Sequence, residues 1–534
     1  MVEVILAGYN VDARALDMLR RGELLPEQFA SVGPETVPAA YARISRFPEP
    51  IPELRFQSMR DVPAARKSNG VIIFRMGHKS VGNHANFNFD ILGLSRLAVE
   101  WLEARRIGVG YTEKSQRYIT LRGDYVIPAE LSPEDAVKLR ELVEGTQNVF
   151  YTRNFETLVE YHFKRAGKEY STNPKRDQTI EGWGKEDARY GLGLATQAQI
   201  GTTMSATALE HAVRTMKYSE IAEVRELAKK LFDAVKDIAP SLILYTDPEL
   251  FSKAFPGAVL RDDNFRDTPK QMRKVVAETF SELEGVVCSQ TAAFKTVRDV
   301  TIIHCNSPDI DVMAALLLAN SGKPLEECYR VATYLKVVNP GKAAEFMKGI
   351  LQYVTEFDNP PREFEFGGDF KFGMNISASC FAQLKRHRIM TWLPQDYDSE
   401  LGITVPQSIR ETGLESELRE VCAKSAALFY DFKQRYGQEI AEYCLANAHR
   451  RRVLVAINAR EINHFARQRS DSHAQWDIRN ISHQMVELAR EVSPLSLLMT
   501  CGKDEYPALR SKVYGPDETV PDNVRPIRKA DGAA

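Results

Sequence analysis

Two arginines bracket a histidine at Arg386-His387-Arg388, inside Gln383-Leu-Lys-Arg-His-Arg-Ile-Met-Thr-Trp392. Guanidinium groups so placed can grip a dense anion bidentately and stay charged at any cellular pH. The same cations would also suit a solvated helix end, where the dipole favours positive charge. A second polar run, Glu113-Lys-Ser-Gln-Arg-Tyr118, offers Arg117 either as an anion ligand or as an exposed strand residue. The run at 457–482, INAREINHFARQRSDSHAQWDIRNIS, is the most unusual in the chain and carries Asn458, Arg460, His464, Arg469 and His473. In it, His473 and Trp476 also read as core residues. Gly77-His78-Lys79-Ser80 adds a further polar cluster, but His78 and His84 have no acidic companion, so no metal site is expected there. Neither a Walker-type nor a G-x-G-x-x-G phosphate loop occurs between a strand and a helix.

The elements that must position these residues belong to a long chain. At 534 residues it exceeds one core, so at least two domains are expected. A 44% hydrophobic and 27% charged composition is that of an ordinary globular protein. A formal charge of −2 gives no reason to expect nucleic acid or an anionic membrane as partner. No apolar run approaches the roughly 20 residues of a membrane span. The start, MVEVILAGYN, reads as a buried strand and not as a signal peptide. Seven cysteines, all in the second half and without a C-x-x-C pair, suggest reduced thiols and a cytoplasmic setting.

Self-similarity organises the rest. VEVILAGYNVDARAL near the start echoes VTIIHCNSPDIDVMAAL from Val300, and residues 94–107 lie without gaps over 376–389. AEVRELAKKLFDAVKDIAP, ending at Pro240, lies over WDIRNISHQMVELAREVSP, ending at Pro494. Both place apolar residues at helical spacing: Val224, Leu227, Leu231, Ala234 and Ile238 in one, Ile478, Ile481, Met485, Leu488 and Val492 in the other. The fold expected is α+β, two tandem copies of one unit with a mixed sheet flanked by long helices. The copies span 1–255 and 295–515, with a linker over 256–294 and a loose tail over 516–534. Strands are expected in NHANFNFDIL and REFEFGGDFKF. The polar stretch RNFETLVEYHFKRAGKEYSTNPKRDQTIEGWG is expected to be an inserted surface excursion.

Taken together, NAR…HF…R…D-x-HAQW, QLKRHRI, GHKS and EKSQRY resemble the flavin-dependent thymidylate synthases, with a partial match in each copy. The resemblance implies that Arg386, His387, Arg388, Asn458, Arg460, His464 and His473 bind FAD, with His78 and Ser80 from copy one. It assigns Glu113, Ser115, Gln116, Arg117, Arg189, Gln383, Arg386 and Arg469 to the nucleotide, dUMP, and makes Arg469 the catalytic group facing the pyrimidine. No protein nucleophile is implied. Copy one has Ala104, Arg105 and Arg106 where copy two has Arg386, His387 and Arg388; copy two has Glu442 where copy one has Arg189. Each copy thus lacks what the other supplies, which leads one to expect a composite site shared by the two copies. The implied reaction is reductive methylation of dUMP to dTMP, with methylenetetrahydrofolate as carbon donor and NADPH as reductant. The implied assembly is a homodimer of fused chains. Gly110 and Thr112 stand where the family motif carries Ser and Asn, which keeps open a different pyrimidine nucleotide as acceptor, or a non-catalytic FAD- or nucleotide-binding role.

Overall fold

Alternating large apolar residues decide which strand faces are buried. Asn86–Ser95 (β2) turns Phe87, Phe89 and Ile91 inward, and Phe370–Ser377 (β6) does the same with Phe370, Phe372, Met374 and Ile376. The structure, a computed structural model, describes residues 2–116, 121, 123–173, 176–287, 299–304 and 307–515. Arg117 and the expected tail over 516–534 lie outside the described residues. The strand expected in REFEFGGDFKF is shorter than its alternation suggests. Arg362–Phe366 is a 3-10 turn following Pro361, and the strand begins only at Phe370. Gly368 separates the two with a φ of 73°, where a Cβ would sit 2.6 Å from Pro308 Cγ.

The first repeat runs Glu3–Tyr9 (β1), β2, Arg96–Glu103 (α1), Val109–Glu113 (β3), Asn148–Arg165 (α2), Gln178–Ala188 (α3), Gln197–Ser205 (β4), Ala206–Met216 (α4) and Ala222–Val235 (α5). Thr268–Val287 (α6) follows. The second repeat runs Val300–His304 (β5), Pro308–Ser321 (α7), β6, Ala378–Leu384 (α8), Thr391–Tyr397 (β7), Glu415–Tyr436 (α9), Arg450–Ile457 (β8), Ala459–Arg469 (α10) and Trp476–Val492 (α11). The sheets have the orders β1-β2-β4-β3 and β5-β6-β8-β7, the same topology twice. Every strand pairing within them is antiparallel, so the α+β class holds but the sheets are not mixed. β1 is an edge strand with Ile5 and Tyr9 exposed, and not the buried strand its composition suggested.

A shared polar device marks the duplication. Ser95 caps α1, and its hydroxyl also donates to Glu223 of α5 at 2.7 Å; Ser377 caps α8 and donates to Asp477 of α11 at 2.6 Å. Each bond ties the end of a central strand to the long helix packed against the sheet. The faces of those helices drift from the expected stripe. α5 buries Val224, Leu227, Ala228, Leu231 and Val235, while α11 buries Ile478, Ile481, Met485, Val486 and Ala489 and leaves Val492 exposed. A helix of 3.6 residues per turn drifts by about 20° per seven residues against a strict 3-4-3-4 spacing, so its buried face slips steadily along the helix.

The expected surface excursion is instead a helical hairpin. α2 buries Phe150, Tyr151, Phe155, Leu158, Val159 and Phe163, and α3 packs against it so closely that a Cβ on Gly184 would lie 2.7 Å from Val159 Cα. Most of its polar residues are exposed, but Asn154 of α2 and Lys185, Glu186 and Asp187 of α3 are buried.

The chain forms two compact units, one of residues 1–293 with 407–446, the other of 294–406 with 447–534. Helix α9, though it lies in the second repeat by sequence, packs in the first unit. There, Gln147 Nε2 donates to Ser425 Oγ and Cys444 O, both at 2.9 Å, and Tyr443 donates to Glu223 at 2.5 Å. Among the described residues, five cysteines are free and buried, and no helix is long and apolar enough to cross a membrane.

Candidate functional site

Strand β6 ends at Ser377, whose cap starts α8, and α8 ends after barely two turns at Leu384. Gln383 therefore sits on the last turn, Arg386 in the turn that closes the helix, and His387 and Arg388 in the loop beyond it. His387 is buried while Arg386 and Arg388 are exposed. The cluster is a turn and loop pinned by its central ring. That ring packs edge-on to Phe465 of α10, with centroids 4.7 Å apart.

Strand β8 delivers α10 to the same place. Asn458 caps this helix by accepting from Glu461 N at 2.9 Å, so its Oδ1 is committed to the helix start. Eleven residues on, Arg469 closes the helix with its guanidinium turned to the loop. Its Nε donates to His387 Nε2 at 2.8 Å and its Nη1 to Gln383 Oε1 at 3.2 Å. Gln383, His387 and Arg469 are thereby one hydrogen-bonded cluster. His464 stands beside it, 6.0 Å from His387 between ring centroids. Arg460 turns away to Pro360 O at 3.0 Å and Glu365 at 3.1 Å. His473 is exposed and paired with Asp471 at 2.8 Å, which removes it from the core, and Trp476 is half-buried.

The electrostatics follow from burial. Desolvation, reinforced by Arg469, holds His387 neutral, well below the ordinary imidazole range. Burial also lowers His464. Glu461, which the sequence offers only as the fourth member of an Asn-x-x-Glu helix start, lies on the inner face beside them. Burial pushes its carboxyl up to about 7, against the pull of Arg460. Its Oε1 is 3.8 Å from His387 Nδ1. No motif announced it; the signal was an acidic residue three positions into a helix, on a buried face it shares with Ile462, Asn463, Phe465, Ala466 and Arg467.

His387, Glu461 and His464 bring potential ligand atoms within 4.8 Å of one another. A cation is nonetheless poorly served. Since His387 Nε2 accepts from Arg469, the ring proton resides on Nδ1, the nitrogen that faces Glu461. Glu461 also lines a cleft of about 410 Å³ with Asp311, Glu365, Asp369, Asn458, Phe366, Ile389 and Met390. The acidic side chains of Asp311, Glu365 and Asp369 repel phosphate, so the cleft suits a neutral ring or amide edge. Arg386 and Arg388, which flank His387 and are exposed, carry guanidiniums of the kind that suits a diphosphate.

In the first unit the corresponding positions are filled differently. Arg105 and His211 stand where His387 and His464 do, joined by a 2.7 Å hydrogen bond between Nη1 and Nδ1. Burial and Arg105 lower His211 to about 4. Phe265 lies edge-on to His211, and Asp262 accepts from Arg214 at 2.7 Å. Lys79 of the Gly-His-Lys-Ser segment is paired with Glu210 at 3.3 Å, while His78 and Ser80 are exposed. Glu113 ends β3, Ser115 is half-buried, and Gln116 is buried and accepts from Arg96 at 3.1 Å. Arg189 is buried in the 3-10 turn that follows α3.

A family model described as thymidylate synthase complementing protein matches residues 29–241 and 312–495, one segment in each repeat. A UPF0159 protein of Thermoplasma acidophilum is 22% identical over 466 residues, covering 79% of this chain and 86% of that protein. A flavin-dependent thymidylate synthase of Geobacter sulfurreducens is 32% identical over 221 residues, 40% of this chain and 83% of that protein. A solved structure of a UMP/dUMP methylase, PolB from Streptomyces cacaoi bound with 5-Br dUMP, aligns at a TM-score of 0.29 and 14% identity. It covers 37% of this chain and 91% of that one.

Proposed function

The chain belongs to the thymidylate synthase complementing protein family, and from that footing we propose that it methylates dUMP to dTMP reductively, using FAD, methylenetetrahydrofolate and NADPH. The observation that carries the reading is the Gln383–His387–Arg469 cluster, which draws two separate motifs, far apart in sequence, into one polar site. FAD, when bound, supplies the redox chemistry of the one-carbon transfer. Arg386 and Arg388 would hold its diphosphate, and Asn458, Arg460, His464 and His473 its remaining edges, with His78 and Ser80 assisting from the first repeat. Gln383 and Arg469 present an acceptor–donor pair that suits the imide edge of a pyrimidine. A guanidinium at that edge stabilises negative charge developing on N3 and O2 as C5 becomes nucleophilic. His387 orients that guanidinium. Glu113, Ser115, Gln116, Arg117 and Arg189 carry the nucleotide's sugar and phosphate in this reading, each charge-assisted bond being worth about 1.5–3 kcal/mol.

Complementation of a thymidine-requiring cell tests the reading. The wild-type chain should restore growth and purify yellow, whereas Arg469→Ala should remain yellow and fail to rescue. A colourless protein that takes up no FAD would refute it. Gly110 and Thr112 on β3, next to Glu113, favour one second reading, a different pyrimidine acceptor. Release of tritium from C5-labelled dUMP, UMP, dCMP and CMP, compared side by side, separates the two.

A further inference from the structure

We propose that Glu461 is the proton port of the Gln383–His387–Arg469 cluster, exchanging a proton with His387 Nδ1 on one side and with the acidic cleft on the other. The proposal rests on reading that cluster as the reacting site. Its argument begins with the imidazole. Because Arg469 Nε donates to His387 Nε2, the ring can pass a proton onward only through Nδ1. Nδ1 faces Glu461 Oε1 at 3.8 Å, a gap that a small rotation of the carboxyl would close to a hydrogen bond.

The carboxyl is built for exchange and not for structure. Glu461 is 4% exposed, and among the described residues its carboxylate makes no hydrogen bond, although its backbone N–H caps to Asn458. A carboxylate buried without donors is costly, so the group favours its acid form until ordinary surroundings would long have ionised it. Its other side opens on the cleft of about 410 Å³, through which water can reach it. His387 faces it from the loop after α8 and His464 from α10, the Arg460 and Arg469 guanidiniums stand on that same helix, and Asp311 of α7 with Glu365 and Asp369 of the turn before β6 share its cleft. Burial lifts the carboxyl to about 7 and keeps His387 neutral, so neither partner traps the proton.

The step balances without an oxidant or reductant. When Arg469 turns to the substrate, the His387 Nε2 lone pair forms a new N–H bond with a proton of the bound pyrimidine, whose own bond to that proton breaks and leaves its electron pair on the pyrimidine. The Nδ1–H bond then breaks as Oε1 of Glu461, in its ionised form, makes a new O–H bond. Glu461 finally releases that proton to water in the cleft.

The test is pH-difference infrared spectroscopy on the full chain with FAD added, beside turnover measurements. A protonated-carboxyl band should disappear between pH ~6 and ~8, be missing in Glu461→Gln, and shift together with a His387 ring mode that His387→Gln removes. Glu461→Gln should lower kcat by roughly 10²-fold and flatten its pH dependence near neutrality, with KM for the nucleotide little changed. Glu461→Asp should restore part of that dependence, which a merely structural carboxyl would not do. A band that survives in Glu461→Gln, or one that titrates in the ordinary carboxylate range, overturns the proposal. A chain that shows the titration yet methylates no pyrimidine refutes the proposed function and leaves the port standing. An active enzyme whose Glu461 does not titrate near neutrality does the reverse.

Discussion

His387 and Arg105 occupy the same place in the two repeats, and the difference between them sets the character of each unit. Arg105 brings a permanent cation that suppresses protonation of His211; His387 brings a ring held neutral by burial and by Arg469. The two motifs meeting at Arg469 were legible as residue types, because guanidinium, imidazole and amide at unusual density stand out in any stretch. What was not legible was Glu461, whose role depends on which way a helix rolls against a loop far earlier in the chain. A stability test follows from His387. Its folded-state value lies below the unfolded one, so below the unfolded value the native chain binds fewer protons than the unfolded chain. Stability is therefore whole above pH ~6.5 and falls as the pH drops through that value toward the folded one. Thermal midpoints of wild type and His387→Gln, followed from pH ~7.5 to ~5.5, should diverge by about 2–4 °C, the wild type losing more. Parallel curves would show that His387 is not held neutral.

At the scale of elements, strands and long helices were readable because their periods are short and repeated. β2 and β6 show alternation, and α5 and α11 show helical spacing, each confirmed by burial to within a position or two. The α2–α3 hairpin was misjudged for a physical reason. Its apolar residues, Phe150, Tyr151, Phe155, Leu158, Val159 and Phe163, do fall at helical spacing, but the charged residues between them dominate the composition. Composition reports the outer face; spacing reports the inner one. The close approach at Gly184 makes this testable. An added methyl would lie 2.5 Å from Val159 Cγ2 and 2.7 Å from Val159 backbone atoms, so Gly184→Ala must push the helices apart. A loss of about 1–3 kcal/mol is expected, read as a lowered thermal midpoint. Gly145→Ala, where nothing lies within 4 Å, is the control and should be neutral or stabilising by less than about 1 kcal/mol.

For the whole molecule, duplication is legible twice, in the matched segments of sequence and in the matched strand orders of the sheets. The compact units nevertheless do not follow the linear order of the repeats, and no periodicity could have shown that, because which body a helix joins is set by distant side chains. Residues 407–446 belong to the first unit through many separate ties. Ser408 donates to Asp187 at 2.5 Å, Tyr436 donates to Asp135 at 2.5 Å, Arg435 pairs with the same Asp135, and Arg153 pairs with Glu417. Arg435 and Tyr436 together hold the Asp135 carboxyl far below its ordinary range. Gln147, buried beneath α9, would lose its acceptors at Ser425 and Cys444 if that helix were absent. A buried amide without partners costs roughly 1–3 kcal/mol, in addition to the apolar face of α2 left open to water. Residues 1–294 expressed alone should therefore bind a hydrophobic dye and aggregate. The same residues co-expressed with 295–534 should copurify as a soluble pair, since the segment 407–446 is restored although the covalent link is cut. A soluble, dye-silent first half would mean that the first unit closes without residues 407–446, and that the extra helix is an ornament on a complete fold.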